Sequence, residues 1–78
     1  MKLISWNIRG LNGPSKVRMI KNLIQMEGLH VFFLQETKCT SQTLGPILSK
    51  AWPGCHSIAV DAFEASGGLA IAWDLKAA

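Results

Sequence analysis

The residue pattern predicts an α/β chain with the element order β-α-β-α-β-β, and three observations carry that reading. An apolar, partly β-branched run from Lys2 to Ile8 stops at the turn formers Arg9 Gly10 Leu11 Asn12 Gly13 Pro14. Between Ser15 and Gly28 the apolar residues then recur at helical spacing. Leu29 to Leu34 follows as an unbroken apolar run. Strand, helix and buried strand in that order make a βαβ unit, whose crossover sets the two strands parallel, so their C-terminal ends share one edge.

Each element has its own justification. Val17, Ile20, Leu23 and Ile24, with Glu27 at the end of the series, mark one face of the first helix, and Arg18, Lys21, Asn22 and Gln25 mark the other. Ser15 is expected to cap its start and Gly28 to sit just past its end in the left-handed conformation. The second strand is expected to be central, with both faces covered and a polar tip at Gln35 Glu36 Thr37 Lys38. Leu44, Ile47, Leu48 and Ala51 place a second helix over Thr43–Trp52, with Gly45 and Pro46 in its first turn. Pro53 and Gly54 end it. Ser57–Ala62 and Gly68–Trp73 then read as a hairpin joined through residues 63–67.

A chain of 78 residues with 49% hydrophobic and 17% charged residues falls in the range of one globular domain or less. Ser5, Asn7 and Arg9 break the opening apolar stretch, so no signal-peptide core is expected. The longest apolar runs, Val31–Leu34 and Leu69–Trp73, are far shorter than the roughly 18 residues that span a bilayer. Cys39 and Cys55 read as reduced thiols, which implies an intracellular location. The net charge of +3 is uneven. Lys2, Arg9, Lys16, Arg18, Lys21 and Lys38 face only Glu27 and Glu36 in the first half, whereas acids exceed bases in the second. A basic front half suits a polyanion, because neutralising phosphates releases counterions. A solvated helix face accounts for Lys16, Arg18 and Lys21 equally well.

The parallel strand pair brings Asn7, at the tip of the first strand, beside Glu36, at the tip of the second. Neighbouring strands lie about 4.8 Å apart, so two such side chains can share one cation or phosphate. Carboxylate oxygen is the donor that Mg2+ prefers, and an amide both donates and accepts. His30 and His56 lack metal-ligand spacing and are read as partly buried, hydrogen-bonded side chains. Trp6, Trp52 and Trp73 lie in separate elements, which favours core packing over a base-stacking platform. Ser66 Gly67 Gly68 is too short for a phosphate-cradling loop, and turn formation suffices to explain it.

Three segments in order, Ile4 Ser5 Trp6 Asn7 Ile8 Arg9 Gly10 Leu11, Phe33 Leu34 Gln35 Glu36 Thr37 Lys38 and Ser66 Gly67 Gly68 Leu69 Ala70 Ile71, closely resemble the start of the endonuclease/exonuclease/phosphatase superfamily. The version they are most similar to is the endonuclease domain of plant-type non-LTR retrotransposons. The resemblance spans essentially all of residues 1–78, taken as a partial domain of this family. It implies the N-terminal portion of a four-layered α/β sandwich that cuts phosphodiester bonds with a divalent metal, usually Mg2+.

By the same resemblance Glu36 is the metal ligand, Asn7 and Glu36 are the catalytic residues, Asn7 positioning the phosphate and the catalytic constellation, and Lys38 and Arg9 contact the substrate, DNA. An acidic residue stands at the position of Arg9 in the abasic-site repair branch, which favours the retroelement reading. The later motifs of the family, an Asp-x-Asn and a terminal Asp-His pair, have no counterpart here. The expectation is therefore a truncated fragment, inactive alone, in the cell interior or nucleus. Its open sheet face and edges would make it associate with itself or stay poorly packed. A small basic nucleic-acid-binding module without catalysis, a non-functional remnant of a decayed element, and a lipid- or sugar-phosphate phosphatase are the competing readings.

Overall fold

The computed structural model describes residues 1–11, 13–61 and 67–75. Two helices pack on one face of a four-stranded sheet, in the expected order: β1 (Leu3–Asn7), α1 (Pro14–Glu27), β2 (Val31–Gln35), α2 (Ser41–Ala51), β3 (His56–Val60) and β4 (Leu69–Trp73). The sheet order is β1-β2-β4-β3. β1 and β2 are parallel, with Leu3 opposite Val31 and Asn7 opposite Gln35. β4 runs antiparallel to both β2 and β3, which makes the β3–β4 pair the expected hairpin. The residues between Ala62 and Ser66 that join it lie outside the described residues.

Helix α1 begins two residues earlier than a Ser15 cap would allow. Pro14 takes the first helical position and Gly13 the cap position, with φ 87° and no side-chain capping bond. The reason is the ring of Pro14: its fixed φ suits the first turn, where a missing N–H leaves nothing unpaired. At the far end Gly28 adopts φ 60°, and its N–H donates to the carbonyl of Ile24 at 3.1 Å.

Helix α2 also starts before the expected Thr43. Thr40 caps it, with Oγ1 accepting from the Thr43 N–H at 3.3 Å. The earlier start moves Pro46 out of the first turn and into the helix interior. Pro46 has no N–H for the carbonyl of Gln42, and both residues lie on the exposed side, where water can satisfy it.

The core lies between the helices and one sheet face. Ile20 and Ile24 of α1 and Leu44, Leu48 and Ala51 of α2 meet Phe32, Leu34, Ala70 and Ala72 of the sheet. Each large side chain buried there contributes about 1.5–3 kcal/mol. Ile8, Leu11 and Leu29, from the connections, close the ends.

β2 is central in the sheet, but only one of its faces is covered, contrary to the sequence reading. Phe32 and Leu34 are buried while Val31 and Phe33, on the opposite face, are only half-buried. That open face is apolar across all four strands: Leu3, Ile58, Val60 and Leu69 are each more than half exposed. Ser5, Phe33, Gln35, Ile58, Leu69 and Ile71 line a shallow cavity of about 320 Å³ on it.

Trp52 is buried in the core, and Trp6 stacks on Phe32 with ring centroids 6.4 Å apart. Trp73 lies on the open face and stacks on His56 at 5.8 Å. His56 is exposed, not partly buried, because β3 is an edge strand. His30 is half-buried, and its Nδ1 accepts from the Lys2 N–H at 3.0 Å. Cys39 and Cys55 are not joined in a disulfide. Burial, with Asp74 nearby, pushes the Cys55 thiol up from its ordinary value of 9.0. No helix among the described residues is long and apolar enough to cross a membrane.

Candidate functional site

Three chain segments meet at one edge of the sheet. Asn7 ends β1 in register with Gln35, which ends β2, and Gln35 is in register with Leu69, which begins β4. Backbone hydrogen bonding continues beyond the strands. The N–H of Ile8 donates to the Gln35 carbonyl at 3.0 Å, that of Gly10 to Glu36 at 2.7 Å, and that of Leu11 to Thr37 at 2.8 Å. From the other side, the N–H of Thr37 donates to Gly68 at 3.1 Å and that of Lys38 to Gly67 at 2.9 Å. Residues 35–38 are thus held on both flanks.

This clamped edge carries the unusual backbone of the molecule. Among the described residues, the non-glycine residues with positive φ are Arg9 at 54°, Glu36 at 54° and Lys38 at 56°. Each costs on the order of 1 kcal/mol relative to right-handed backbone, and such conformations persist only where surrounding bonds over-determine them. The five bonds just described do so. Conformational strain of this kind collects at ligand-handling positions.

The structure places all four sequence-derived candidates on this rim. Asn7 shares the open sheet face with Leu3 and Ser5 through strand alternation, and is exposed. Glu36 follows Gln35 directly and is half-buried; no hydrogen bond or ion pair joins its carboxylate to another described residue. Arg9 is exposed on the segment after β1 that flanks Glu36, and Lys38 is exposed two residues further along Glu36's own segment. The Lys38 Cδ lies 3.7 Å from where a Cβ on Gly10 would sit, so its side chain crosses the neighbouring loop.

The helices add to the same edge. α1 leads from β1 to a strand parallel to it, and α2 leads from β2 to β3, which also runs parallel to β2. Both helices therefore begin at the rim, and neither has an acidic residue in its first turn. Their positive dipole ends favour anions there. Asp61, just past β3, accepts from the Ser41 N–H at 2.6 Å, and that bond holds its carboxyl below the ordinary value of 3.8.

The donor set bears on which cation fits. No three His, Cys, Asp or Glu side chains converge among the described residues. Glu36 offers one carboxylate, and Asn7 an amide oxygen. A Mg2+ ion is commonly bound by one or two carboxylates plus water and phosphate, so these donors suit part of its shell.

Three residues escaped the sequence reading. Lys16 does not lie on a solvated face: it is half-buried, its Nζ donates to the Ile8 carbonyl at 2.7 Å, and it sits 5.8 Å from the Trp6 ring centre. A signal was present, because Lys16, Ile20 and Leu23 fall on one helical face. Thr37, between Glu36 and Lys38, is fully buried, and its Oγ1 has no hydrogen-bond partner among the described residues. Leu11 is fully buried within a loop of turn formers, anchoring the rim to the core.

Comparison with known proteins agrees with this architecture. A 3′ phosphatase, NExo, from Neisseria, solved as a variant bound to product DNA hairpin, is 23% identical with a TM-score of 0.75, over 94% of this chain and 27% of that one. The 3′–5′ exonuclease NExo from Neisseria meningitidis is 25% identical with a TM-score of 0.74 over the same shares. The AP endonuclease LMAP from Leishmania major is 19% identical with a TM-score of 0.68, over 91% of this chain and 23% of that one. The chain thus spans about a quarter of the length of these proteins, and the likeness shows the fold. No curated protein matches it. The pattern of the Endonuclease/Exonuclease/phosphatase family matches residues 4–77, nearly the whole chain, and the protein belongs to that family.

Proposed function

We propose that the rim of Asn7, Arg9, Glu36 and Lys38 is the phosphate-handling end of a metal-dependent DNA endonuclease domain like that of plant-type non-LTR retrotransposons. The observation that carries the reading is the left-handed backbone at Arg9, Glu36 and Lys38, three adjoining positions of one hydrogen-bonded edge. DNA as the partner is supported by the Neisseria phosphatase bound to product DNA hairpin.

In this reading Glu36 holds Mg2+ through its carboxylate. The ion would supply Lewis-acid stabilisation of the charge that develops on a phosphodiester oxygen. Asn7 orients the phosphate by hydrogen bonding, and Arg9 and Lys38 draw the phosphate toward the rim by charge. These groups bind and orient, and no three His, Cys, Asp or Glu side chains converge among the described residues. The chain alone is therefore expected to be inactive.

Plasmid nicking tests the reading. Joined to the remaining part of a family domain, the chain should nick supercoiled DNA only with Mg2+, and Glu36→Gln should abolish the nicking. Equal nicking by both proteins removes Glu36 from the mechanism.

The second reading is a basic module that binds DNA without cutting it, and the excess of bases over acids in the first half of the chain favours it. Binding that persists in EDTA, with no nicking by the joined protein, would establish that reading over the first.

We also propose that the open sheet face docks on a second copy of the same face. Strand alternation puts no formally charged side chain on it, so two copies meet without burying charge. An apolar face spanning four strands is also larger than the scattered exposed residues normal for a monomer.

A further inference from the structure

We propose that the groove between α1 and α2 is a binding site for the phosphate backbone of duplex DNA, distinct from the strand-tip rim. The inference rests on the DNA reading above and extends it to a surface that the rim residues do not form. The groove has a volume of about 580 Å³; Gly13, Val17 and Ile47 form its walls, and Arg18, Lys21 and Lys50 its charged lining. All three cationic side chains are exposed.

Among the described residues, no acid lines the groove. Arg18 and Lys21 stand one turn apart on α1, a like-charge spacing that destabilises a helix by a few tenths of a kcal/mol. A solvated helix normally relieves this with an interleaved acid. Here the acid of α1 is Glu27, at its far end, and it is bridged to Lys2 at 3.3 Å. α2 contains no acid at all, yet contributes Lys50 to the same groove. Two helices thus direct uncompensated positive charge into one concavity.

The dimensions suit a phosphate backbone. Arg18 and Lys21 are about 4.5 Å apart along the helix axis, at roughly 1.5 Å per residue. Phosphates recur about every 3.4 Å of axis along one DNA strand. Gly13, at the head of the groove, puts no side-chain acceptor on the first turn of α1, so that turn adds to the positive potential. Val17 and Ile47 offer apolar contact to the sugar face. Because both helices begin at the rim, a backbone held there can continue into the groove without leaving the protein.

Fluorescence anisotropy with a labelled DNA duplex, in EDTA and across a salt series, tests the site on the full chain. The triple variant Arg18→Gln, Lys21→Gln, Lys50→Gln should bind about tenfold or more weakly at low salt, with a salt slope shallower by roughly 2 to 3. Its thermal unfolding, followed by circular dichroism, should equal or slightly exceed the parent's, since none of the three side chains is buried and the like-charge spacing is relieved. A Met triple at the same positions repeats the test if the Gln triple unfolds. Binding by the triple within about twofold of the parent overturns the groove. If Arg9→Gln with Lys38→Gln alone abolishes binding, the groove falls and the DNA reading stands. If the parent binds no duplex at any salt, the DNA reading itself falls, and the groove with it.

Discussion

The N–H of Gly10 donates to the carbonyl of Glu36 at 2.7 Å, the shortest of the backbone bonds that join the loops at the sheet edge. It ties the segment after β1 to the segment after β2, immediately beside two residues, Arg9 and Glu36, with the same left-handed φ of 54°. Neither turn would hold its conformation alone. The bond lets each loop fix the other, and the family's two sequence-distant motifs become one surface.

The strain at the rim should be measurable as stability. Replacing Lys38, φ 56°, by Gly removes a left-handed penalty of about 1–2 kcal/mol against an entropic loss of about 0.5–1 kcal/mol. Lys38→Gly is therefore expected to raise the urea midpoint slightly. Gly10→Ala, at φ 101°, should lower stability by about 1–3 kcal/mol. The opposite signs would show that the strain is not stored at these positions.

Lys16 should behave as part of the rim's support and not as a surface cation. Lys16→Met keeps the apolar stem near Trp6 but removes the donor to the Ile8 carbonyl. A loss of about 1–2 kcal/mol in chemical unfolding is expected, after allowance for partial solvent screening. A change within a few tenths of a kcal/mol would place Lys16 back on the solvated face.

Thr37 carries a fully buried hydroxyl with no partner among the described residues. Thr37→Val retains the shape and removes the desolvated group, so it should be neutral or stabilising by up to about 1 kcal/mol. A clear destabilisation in the same urea assay would mean the hydroxyl is satisfied in solution.

Asp61 supplies an acid-dependent contribution. The Ser41 N–H lowers its pKa, so the folded chain releases this proton more readily than the unfolded chain. The contribution is present above the ordinary value of 3.8 and fades as pH falls through the lower, folded value. Asp61→Asn should flatten the loss of thermal stability in that acid range. An unchanged pH profile would show that the Asp61 bond to the Ser41 N–H does not contribute to stability.

Self-association should depend on the open face. The parent chain is expected to show concentration-dependent sedimentation, and Ile58→Lys, on the exposed edge strand, should shift it toward monomer. A monomer at every concentration would remove the proposed pairing of sheet faces.

The βαβ unit, the hairpin and the core faces of both helices were legible because apolar spacing is a local signal with a fixed period. Helix boundaries were less so. Pro14 competed with Ser15 for the start of α1, and the Thr40 cap outweighed the first-turn preference of Pro46. The coverage of β2 was misread because an unbroken apolar run reports hydrophobicity on both faces, not whether a neighbour covers each one.

By itself the sequence determined the order of elements, the parallel pairing of β1 with β2, and hence that Asn7 and the Gln35–Glu36 tip share an edge. Only the tertiary structure decided that Arg9, Glu36 and Lys38 are left-handed, that Lys16 turns inward, and that Arg18, Lys21 and Lys50 converge in one groove. Periodicity and turn chemistry act over a few residues and leave a record in the letters. Backbone strain in non-glycine residues, and the convergence of charges from two helices, arise from bonds and packing between segments distant along the chain.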